Sequence, residues 1–292
     1  MPDRAPEIVV SSDGVRIAMH DLGGPSGDST APVLIFSHAT GLHGQVWKPM
    51  ASILNGQFHC VAVDLRGHGL SELPPAGTLG WSGMADDILA ALDGNGFPAG
   101  ACHGIGHSMG GAALVLAAAR RTGAFRTLWL YEPVIIPADT WPLSDTENPM
   151  SERAARRRDR FDSLEQAYEH YRSKAPLDQL HPDALRAYVE GGFAPTRDAA
   201  VTLRCRPSTE AEVFRQAPAS GAWEALASLE LPVAVVAGRS DGPGPGSIAR
   251  AIAEALTGGI LMDHSGVGHF GPLEDPKGMA ADAAAWVQKH PW

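Results

Sequence analysis

Short apolar runs alternate along the chain with longer stretches of helical periodicity. Five runs are predicted as strands: Val33–Phe36, Cys60–Val63, Ala101–Ile105, Thr127–Leu130 and Val233–Val236. Runs that lack a strict polar alternation are typical of strands buried on both faces, as in a parallel sheet. Helical patterns lie between them, at Val46–Leu54, Met84–Leu92, Met109–Arg121, Ser247–Leu256 and Pro276–Lys289. This order predicts an open, doubly wound α/β sheet with right-handed crossovers.

Two segments depart from this alternation. Ile8–His20 alternates around Asp13-Gly14, which predicts a hairpin at an antiparallel edge of the sheet. Between about residues 134 and 222, eight prolines separate amphipathic pieces such as Glu152–Ser173 and Asp183–Glu190. An insertion of this size between two strands predicts a helical cap. We therefore predict a core domain, residues 1–133 and 222–292, and a cap domain, residues 134–221.

Composition and charge limit the class of partner. The chain has 292 residues, of which 44% are hydrophobic and 19% charged, and these values suit a globular protein. Its formal net charge of −10 argues against a nucleic-acid partner, because binding to phosphates needs a basic stripe. One basic run, Arg156–Arg158 with Arg153 and Arg160 nearby, is interpreted as a solvated helix face.

The cysteines and the apolar content bear on the cellular compartment. Cys60, Cys102 and Cys205 fit no metal-site spacing and are predicted as buried free thiols, which suits a reducing compartment. The first ten residues lack the apolar stretch of a signal peptide, and no apolar run approaches the ~20 residues of a membrane helix. We expect a cytoplasmic protein with a small-molecule substrate and no membrane partner, and the sequence leaves a homodimer open.

The strongest chemical signal is the run Gly106-His107-Ser108-Met109-Gly110, which matches the pattern G-x-S-x-G. The match gains weight from its context, since a predicted strand ends there and an alanine-rich helix begins. The serine must lie on a sharp turn from strand to helix, and the flanking glycines relieve the crowding of that turn. The backbone N–H of Met109 then points at the reacting carbonyl, near the positive end of the helix. We interpret Ser108 as a nucleophile; the alternative is a glycine-rich helix start without chemistry.

Three further motifs accompany this one. Ser37–Gly41 follows the third strand, Asp64–Ser71 follows the fourth and matches D-x-R-G-x-G-x-S, and Ser265–Phe270 contains G-x-G-H. With these motifs the chain resembles the capped serine hydrolases of the α/β-hydrolase superfamily, which include esterases, lactonases and carbon–carbon bond hydrolases. The resemblance covers nearly the whole chain. It implies the α/β-hydrolase fold, a mostly parallel sheet with a helical cap inserted after the sixth strand.

His269 is the predicted base. It follows the last predicted strand, Ile260–Met262, and a serine that precedes the histidine is the order of this fold. Gly266 and Gly268 would let the loop bring the imidazole to Ser108. Three other histidines are interpreted as scaffold residues: His38, His68 and His107.

The acid that orients the base has two candidates. Asp241 follows the strand Val233–Val236, where most of the superfamily places its acid, and this order favours it. Glu132 follows the preceding strand, where some relatives place the acid. A glutamate at a buried strand end also needs a partner, because an unpaired buried carboxylate is costly. The sequence leaves both residues open.

The resemblance also implies an oxyanion hole and a reaction. The second N–H donor, beside that of Met109, would come from Thr40, although Ala39 stands where relatives usually have glycine. The expected activity is hydrolysis of a carboxylic ester or lactone of a small to medium hydrophobic substrate, through an acyl-enzyme on Ser108 and without a metal or organic cofactor. A carbon–carbon bond hydrolase with the same triad and a non-catalytic ligand-binding protein remain alternatives.

Overall fold

The computed structural model describes residues 5–26, 30–75, 78–97, 100–137, 148–239 and 244–291. Within these ranges the strands are β1 (Glu7–Val10), β2 (Arg16–Asp21), β3 (Val33–Ser37), β4 (His59–Val63), β5 (Cys102–His107), β6 (Phe125–Tyr131), β7 (Arg160–Phe161), β8 (Phe193–Pro195), β9 (Val201–Leu203), β10 (Val233–Ala237) and β11 (Gly259–Asp263). Eight of these described strands form one sheet, in the order β1-β2-β4-β3-β5-β6-β10-β11. The sheet matches the predicted α/β fold class.

The sheet is parallel from β4 to β11 and antiparallel at the β1 edge. β1 pairs with β2 as a hairpin, with Val10 opposite Arg16, and β2 pairs antiparallel with β4. The predicted N-terminal hairpin is thereby confirmed. Because β3, β5, β6 and β10 are parallel, their carboxyl ends meet at one edge of the sheet, which is where ligands bind in open α/β sheets.

The helices of the described residues are α1 (Lys48–Leu54), α2 (Trp81–Gly94), α3 (Met109–Arg120), α4 (Pro149–Ala155), α5 (Leu164–Arg172), α6 (Pro182–Gly192), α7 (Pro207–Arg215), α8 (Ala222–Leu226), α9 (Pro245–Ala255), α10 (Gly271–Glu274) and α11 (Pro276–Gln288). Helices α4, α6, α7, α9 and α11 begin at a proline. Proline costs nothing there, because the first helical N–H has no intrahelical partner and the ring presets φ.

A hydrophobic core covers each face of the sheet. Consecutive strand residues point to opposite faces, so in β3 Ile35 joins one core and Leu34 and Phe36 join the other. The first core contains residues of α2, α3 and α9, and the second contains residues of α1, α11 and the inserted segment. Because both faces of the sheet are covered, the residues of the parallel strands form apolar runs in the sequence.

The segment between β6 and β10 is less regular than the predicted helical cap. The expected helix over Glu152–Ser173 is divided into α4 and α5 by the short strand β7, and Ser163 caps α5 by accepting a hydrogen bond from the Gln166 amide at 3.1 Å. Strands β7, β9 and β8 form a small antiparallel sheet that the sequence analysis did not predict. Runs of two or three residues are too short to show a period. The domain boundaries themselves stay a prediction.

The remaining structural expectations concern cysteines and membranes. All three cysteines are buried free thiols, as predicted. In the described part of the chain, no helix combines the length and apolar character that crossing a membrane requires.

Candidate active site

Ser108 lies on the turn between β5 and α3, at the carboxyl edge of the sheet. Its backbone is in a rare conformation for a residue with a side chain, with φ 54° and ψ −119°, and only 7% of the residue is exposed. Hydrogen bonds hold the turn from both sides, since its amide donates to the Tyr131 carbonyl at 3.0 Å and its carbonyl accepts from Val134 at 3.3 Å. Such strain persists only where the surroundings enforce it, and it is common at functional sites.

The glycines of the motif allow the chain to approach itself closely at this turn. A Cβ at Gly110 would lie 2.3 Å from the Ser37 carbonyl oxygen and 2.5 Å from that of His38. A Cβ at Gly106 would lie 2.7 Å from the Cα of Gly111. The start of α3 therefore packs directly on the backbone of the loop after β3, the segment expected to supply part of the oxyanion hole.

Thr40 and Met109 face each other across this contact. The Thr40 hydroxyl lies 3.3 Å from the Met109 sulfur. Met109 is the first residue of α3, so its N–H has no intrahelical partner. Among the described residues neither its N–H nor that of Thr40 donates to another protein group. Two free amides beside Ser108 are the donors that an oxyanion hole requires.

His269 lies beside the Ser108 turn, in the loop between β11 and α10. Its carbonyl accepts a hydrogen bond from His107 Nε2 at 2.7 Å, and the two imidazole centroids are 4.9 Å apart. The Tyr131 hydroxyl donates to the preceding carbonyl, that of Gly268, at 2.6 Å. The loop is thus held to the residue next to the predicted nucleophile and to the end of β6.

Glu132, which follows β6, contacts the ring of His269. Its Oε2 lies 2.6 Å from His269 Nδ1, and its Oε1 accepts from the Gly238 amide at 2.8 Å. Only 2% of Glu132 is exposed, and its φ of 40° is unusual for a residue with a side chain. A Cβ at Gly246 would lie 2.7 Å from Oε1, so the carboxylate abuts the first turn of α9. The other candidate acid, Asp241, lies outside the described residues.

The remaining histidines of the motifs bond to backbone. His38 Nε2 accepts from the Leu65 amide at 3.0 Å while its Nδ1 lies 2.8 Å from the Ala39 carbonyl. His68 Nε2 accepts from the Gly41 amide at 3.1 Å. Burial lowers the pKa of His38 to about 3, and it also lowers the pKa of His68. Both rings are neutral parts of the scaffold that shapes the loop around Thr40.

A cavity of about 360 Å³ opens beside this site. Thr40, Leu42, His269 and Phe270 contribute to its wall. The other wall residues come from the segment between β6 and β10: Met150, Arg153, Ala154, Arg157, Arg158, His170, Tyr171, Lys174, Ala175, Pro176, Leu177, Glu210 and Phe214. The aromatic residues Tyr171, Phe214 and Phe270 line this cavity, whereas Trp47, Tyr168 and Phe193 pack in the hydrophobic core.

Arg157 is a partly buried cation in the wall of this cavity, with 19% of its side chain exposed. It pairs with Glu210 at 2.8 Å, hydrogen-bonds the Tyr188 hydroxyl, and stacks over the ring of Tyr171 at 5.2 Å. Glu210 in turn packs closely against the loop after β3: a Cβ at Gly41 would be 2.6 Å from its Oε1. The basic run was interpreted as a solvated face, but Arg157 is an internal link between the inserted segment and the Thr40 loop.

The family follows from the extent of a sequence match. The model of the alpha/beta hydrolase family matches residues 34–283, which is most of the chain. The chain belongs to the α/β-hydrolase family. The match runs from β3 to α11 and so includes the Ser108 turn, Glu132 and His269.

Individual members of the α/β-hydrolase family are distant from this chain. The 3-oxoadipate enol-lactonase 1 of Acinetobacter baylyi is 26% identical over 216 residues, 74% of each protein. The 2-(acetamidomethylene)succinate hydrolase of Mesorhizobium japonicum is 27% identical over 168 residues, 57% of this chain and just 56% of that relative. The crystal structure of esterase RhEst1 from Rhodococcus sp. superposes with a TM-score of 0.76 at 21% identity, over 99% of this chain and all of that one. This last likeness shows the fold alone.

The structure therefore brings together Ser108, Met109, Thr40, His269 and Glu132 from separate parts of the chain. The contributions of the basic run and of Glu210 to the cavity were not predicted from the sequence, nor was that of Tyr131, whose hydroxyl fixes the His269 loop. Arg157 and Tyr131 act through contacts with residues distant in the chain, which no local pattern of charge encodes.

Proposed function

We propose that this α/β hydrolase cleaves a carboxylic ester or lactone through an acyl-enzyme on Ser108. The observation that carries the proposal is the 2.6 Å contact between His269 Nδ1 and the buried Glu132 carboxylate, beside a serine on a strained strand-to-helix turn. A carboxylate on Nδ1 fixes the tautomer in which Nε2 is free to act as a base. The relative named as an enol-lactonase supports this bond type.

The proposed cycle has two halves. His269 Nε2 takes the proton of the Ser108 hydroxyl as the oxygen attacks the carbonyl carbon, and the N–H groups of Met109 and Thr40 stabilise the oxyanion. The C–O bond to the leaving group then breaks, and His269 returns the proton to the departing alcohol. Water repeats the sequence on the acyl-enzyme and releases the acid. In both halves the Glu132 carboxylate stabilises the imidazolium.

The test is hydrolysis of a panel of p-nitrophenyl esters and aromatic lactones by wild type and by Ser108→Ala, with product analysis. We expect turnover by wild type and a loss of at least about 10³-fold in kcat for the variant. Equal rates in the two proteins would refute the role of Ser108. Cleavage of a carbon–carbon bond, with esters inert, would replace ester hydrolysis by that activity on the same residues. Tight ligand binding without any turnover would identify a ligand-binding protein.

A further inference from the structure

Three cations in the cavity wall lack an acidic partner. Arg153, Arg158 and Lys174 line the same cavity as Thr40 and His269, and in the described part of the chain none lies within ion-pair distance of a carboxylate. Arg158 is nevertheless held in place, since it stacks over Phe161 at 4.2 Å and donates to the Arg160 carbonyl at 2.9 Å. A cation that is fixed by uncharged neighbours keeps its charge available for a ligand.

Two neighbouring arginines that do not line the cavity each pair with a carboxylate. Arg156 pairs with Glu152 at 2.7 Å and Arg172 pairs with Glu169 at 2.7 Å. The chain has ten more acidic than basic residues, whereas the described wall of this cavity has four arginine and lysine side chains and one acidic side chain.

The cavity also has an excess of positive charge. Glu210 is the acidic side chain among its described wall residues, and Arg157 already binds it at 2.8 Å. His170 is another wall residue, and these cations act on it. Its pKa is lowered, first by burial and then by the charges of Lys174, Arg158 and Arg157.

We propose that this cation cluster, defined as Arg153, Arg158 and Lys174, binds an oxyanionic group of the substrate, a carboxylate or a phosphate, away from the bond that is cleaved. The inference rests on the proposed function for the identity of the reacting bond, while the cluster itself is independent of it. Guanidinium groups suit such oxyanions because they offer forked N–H donors with a full charge. The expectation of a small to medium hydrophobic substrate is then refined to a substrate with an apolar body and an anionic end, since Leu42, Tyr171 and Phe214 supply apolar wall.

The direct test compares charged and neutral esters of equal length. Substrates are the p-nitrophenyl hemiesters of succinic, glutaric and adipic acid, each with a neutral partner that ends in a methyl group. The test variant is Arg153→Gln/Lys174→Gln. The control is Arg156→Gln/Arg172→Gln, which removes the same charge from neighbouring exposed positions outside the cavity wall.

For the test variant we expect kcat/KM of the best hemiester to fall at least about tenfold, mainly through KM, because a remote contact stabilises substrate and transition state alike. Its neutral partner should change less than about twofold, and the control should change less than about twofold on both. The preference for the hemiester should also fall with rising salt in wild type. Equal losses for charged and neutral esters, or equal losses in test and control variants, would overturn the inference.

A binding measurement separates this inference from the proposed function. If no ester is turned over, the proposed function fails, and titration calorimetry with glutarate and with phenyl phosphate still examines the cation cluster. We expect at least one of these anions to bind wild type and to bind the test variant at least about tenfold more weakly, and the tighter anion identifies the oxyanion. Binding of neither anion, or equal binding by wild type and test variant, would overturn the inference.

Discussion

Glu132 Oε2 lies 2.6 Å from Nδ1 of His269, while its other oxygen accepts from the Gly238 amide at 2.8 Å. Both carboxylate oxygens are thus bound, one to the ring and one to the backbone that follows β10. The arrangement joins the ends of β6 and β10 to the loop after β11. It orients the imidazole from the side opposite to its free nitrogen.

The first prediction concerns the identity of the acid. Glu132→Gln should lower kcat by about 10² to 10⁴-fold, because an amide stabilises neither the imidazolium nor the required tautomer. Asp241→Asn is the matched control and should cost less than about threefold. Steady-state kinetics on one ester, with melting temperatures to verify folding, measures both. A larger loss in Asp241→Asn would assign the acid to that residue.

The second prediction concerns Gly110. In Gly110→Ala the new Cβ would lie 2.3 Å from the Ser37 carbonyl oxygen, so the start of α3 or the Thr40 loop must shift. We expect a loss of about 1–3 kcal/mol in the free energy of unfolding, as for overpacking. We also expect a fall in kcat, because the two proposed oxyanion donors would separate. Gly56→Ala is the control, since a Cβ there meets no atom within 4 Å. Urea unfolding and ester kinetics compare the two variants. Equal stability and equal kcat of Gly110→Ala and Gly56→Ala would contradict the close packing at Gly110.

Much of this site could be predicted from the sequence, because its parts follow strand ends with recognisable local patterns. The Ser108 turn combines a strand, two glycines and a helix, and His269 follows the last strand. The choice between Glu132 and Asp241 could not be made, since both follow parallel strands that end at the same edge. What distinguishes Glu132 is the direction of its side chain, towards the His269 ring, and no local sequence pattern encodes that direction.

The inserted segment was less predictable for a different physical reason. Its strands β7 and β9 have two and three residues, so neither shows the alternation of a half-buried strand. The inward direction of Arg157 depends on Glu210 and Tyr188, which are distant in sequence. Long-range pairs of this kind decide which member of a basic run is solvated.

The third prediction is a loss of stability in acid. Burial lowers the pKa of His43 and of His103 from 6.5 to about 4, and that of His38 to about 3. Below pH 6.5 these histidines bind protons in the unfolded chain but stay neutral in the folded chain. The free energy of unfolding should therefore fall steadily towards pH 4. His103→Gln should reduce that slope by about 1.4 kcal/mol per pH unit, which is the contribution of one titrating proton. Urea unfolding at pH 8, 6, 5 and 4 measures the slope, and an unchanged slope in the variant would be the contrary result.

The fourth prediction concerns the ion pair of Arg66 and Asp87. Arg66 Nη2 and Asp87 Oδ1 are 2.7 Å apart, and both side chains are at most 1% exposed. Asp87→Ala should lower the free energy of unfolding by about 3–5 kcal/mol, because it leaves a buried guanidinium with less compensation. The exposed pair of Arg121 and Asp93 is the control, and Asp93→Ala should cost less than about 1 kcal/mol. Comparable costs for the two substitutions would argue against the buried role of Arg66.

The most direct test of the central claim is covalent labelling of Ser108. A fluorophosphonate should add one adduct per chain to wild type, and peptide mapping should place it on Ser108, because the reagent traps a serine that a neighbouring histidine activates. Ser108→Ala should acquire no adduct under the same conditions, with its fold confirmed by its melting temperature. An adduct on another residue, or equal labelling of the alanine variant, would contradict the assignment of Ser108 as the nucleophile.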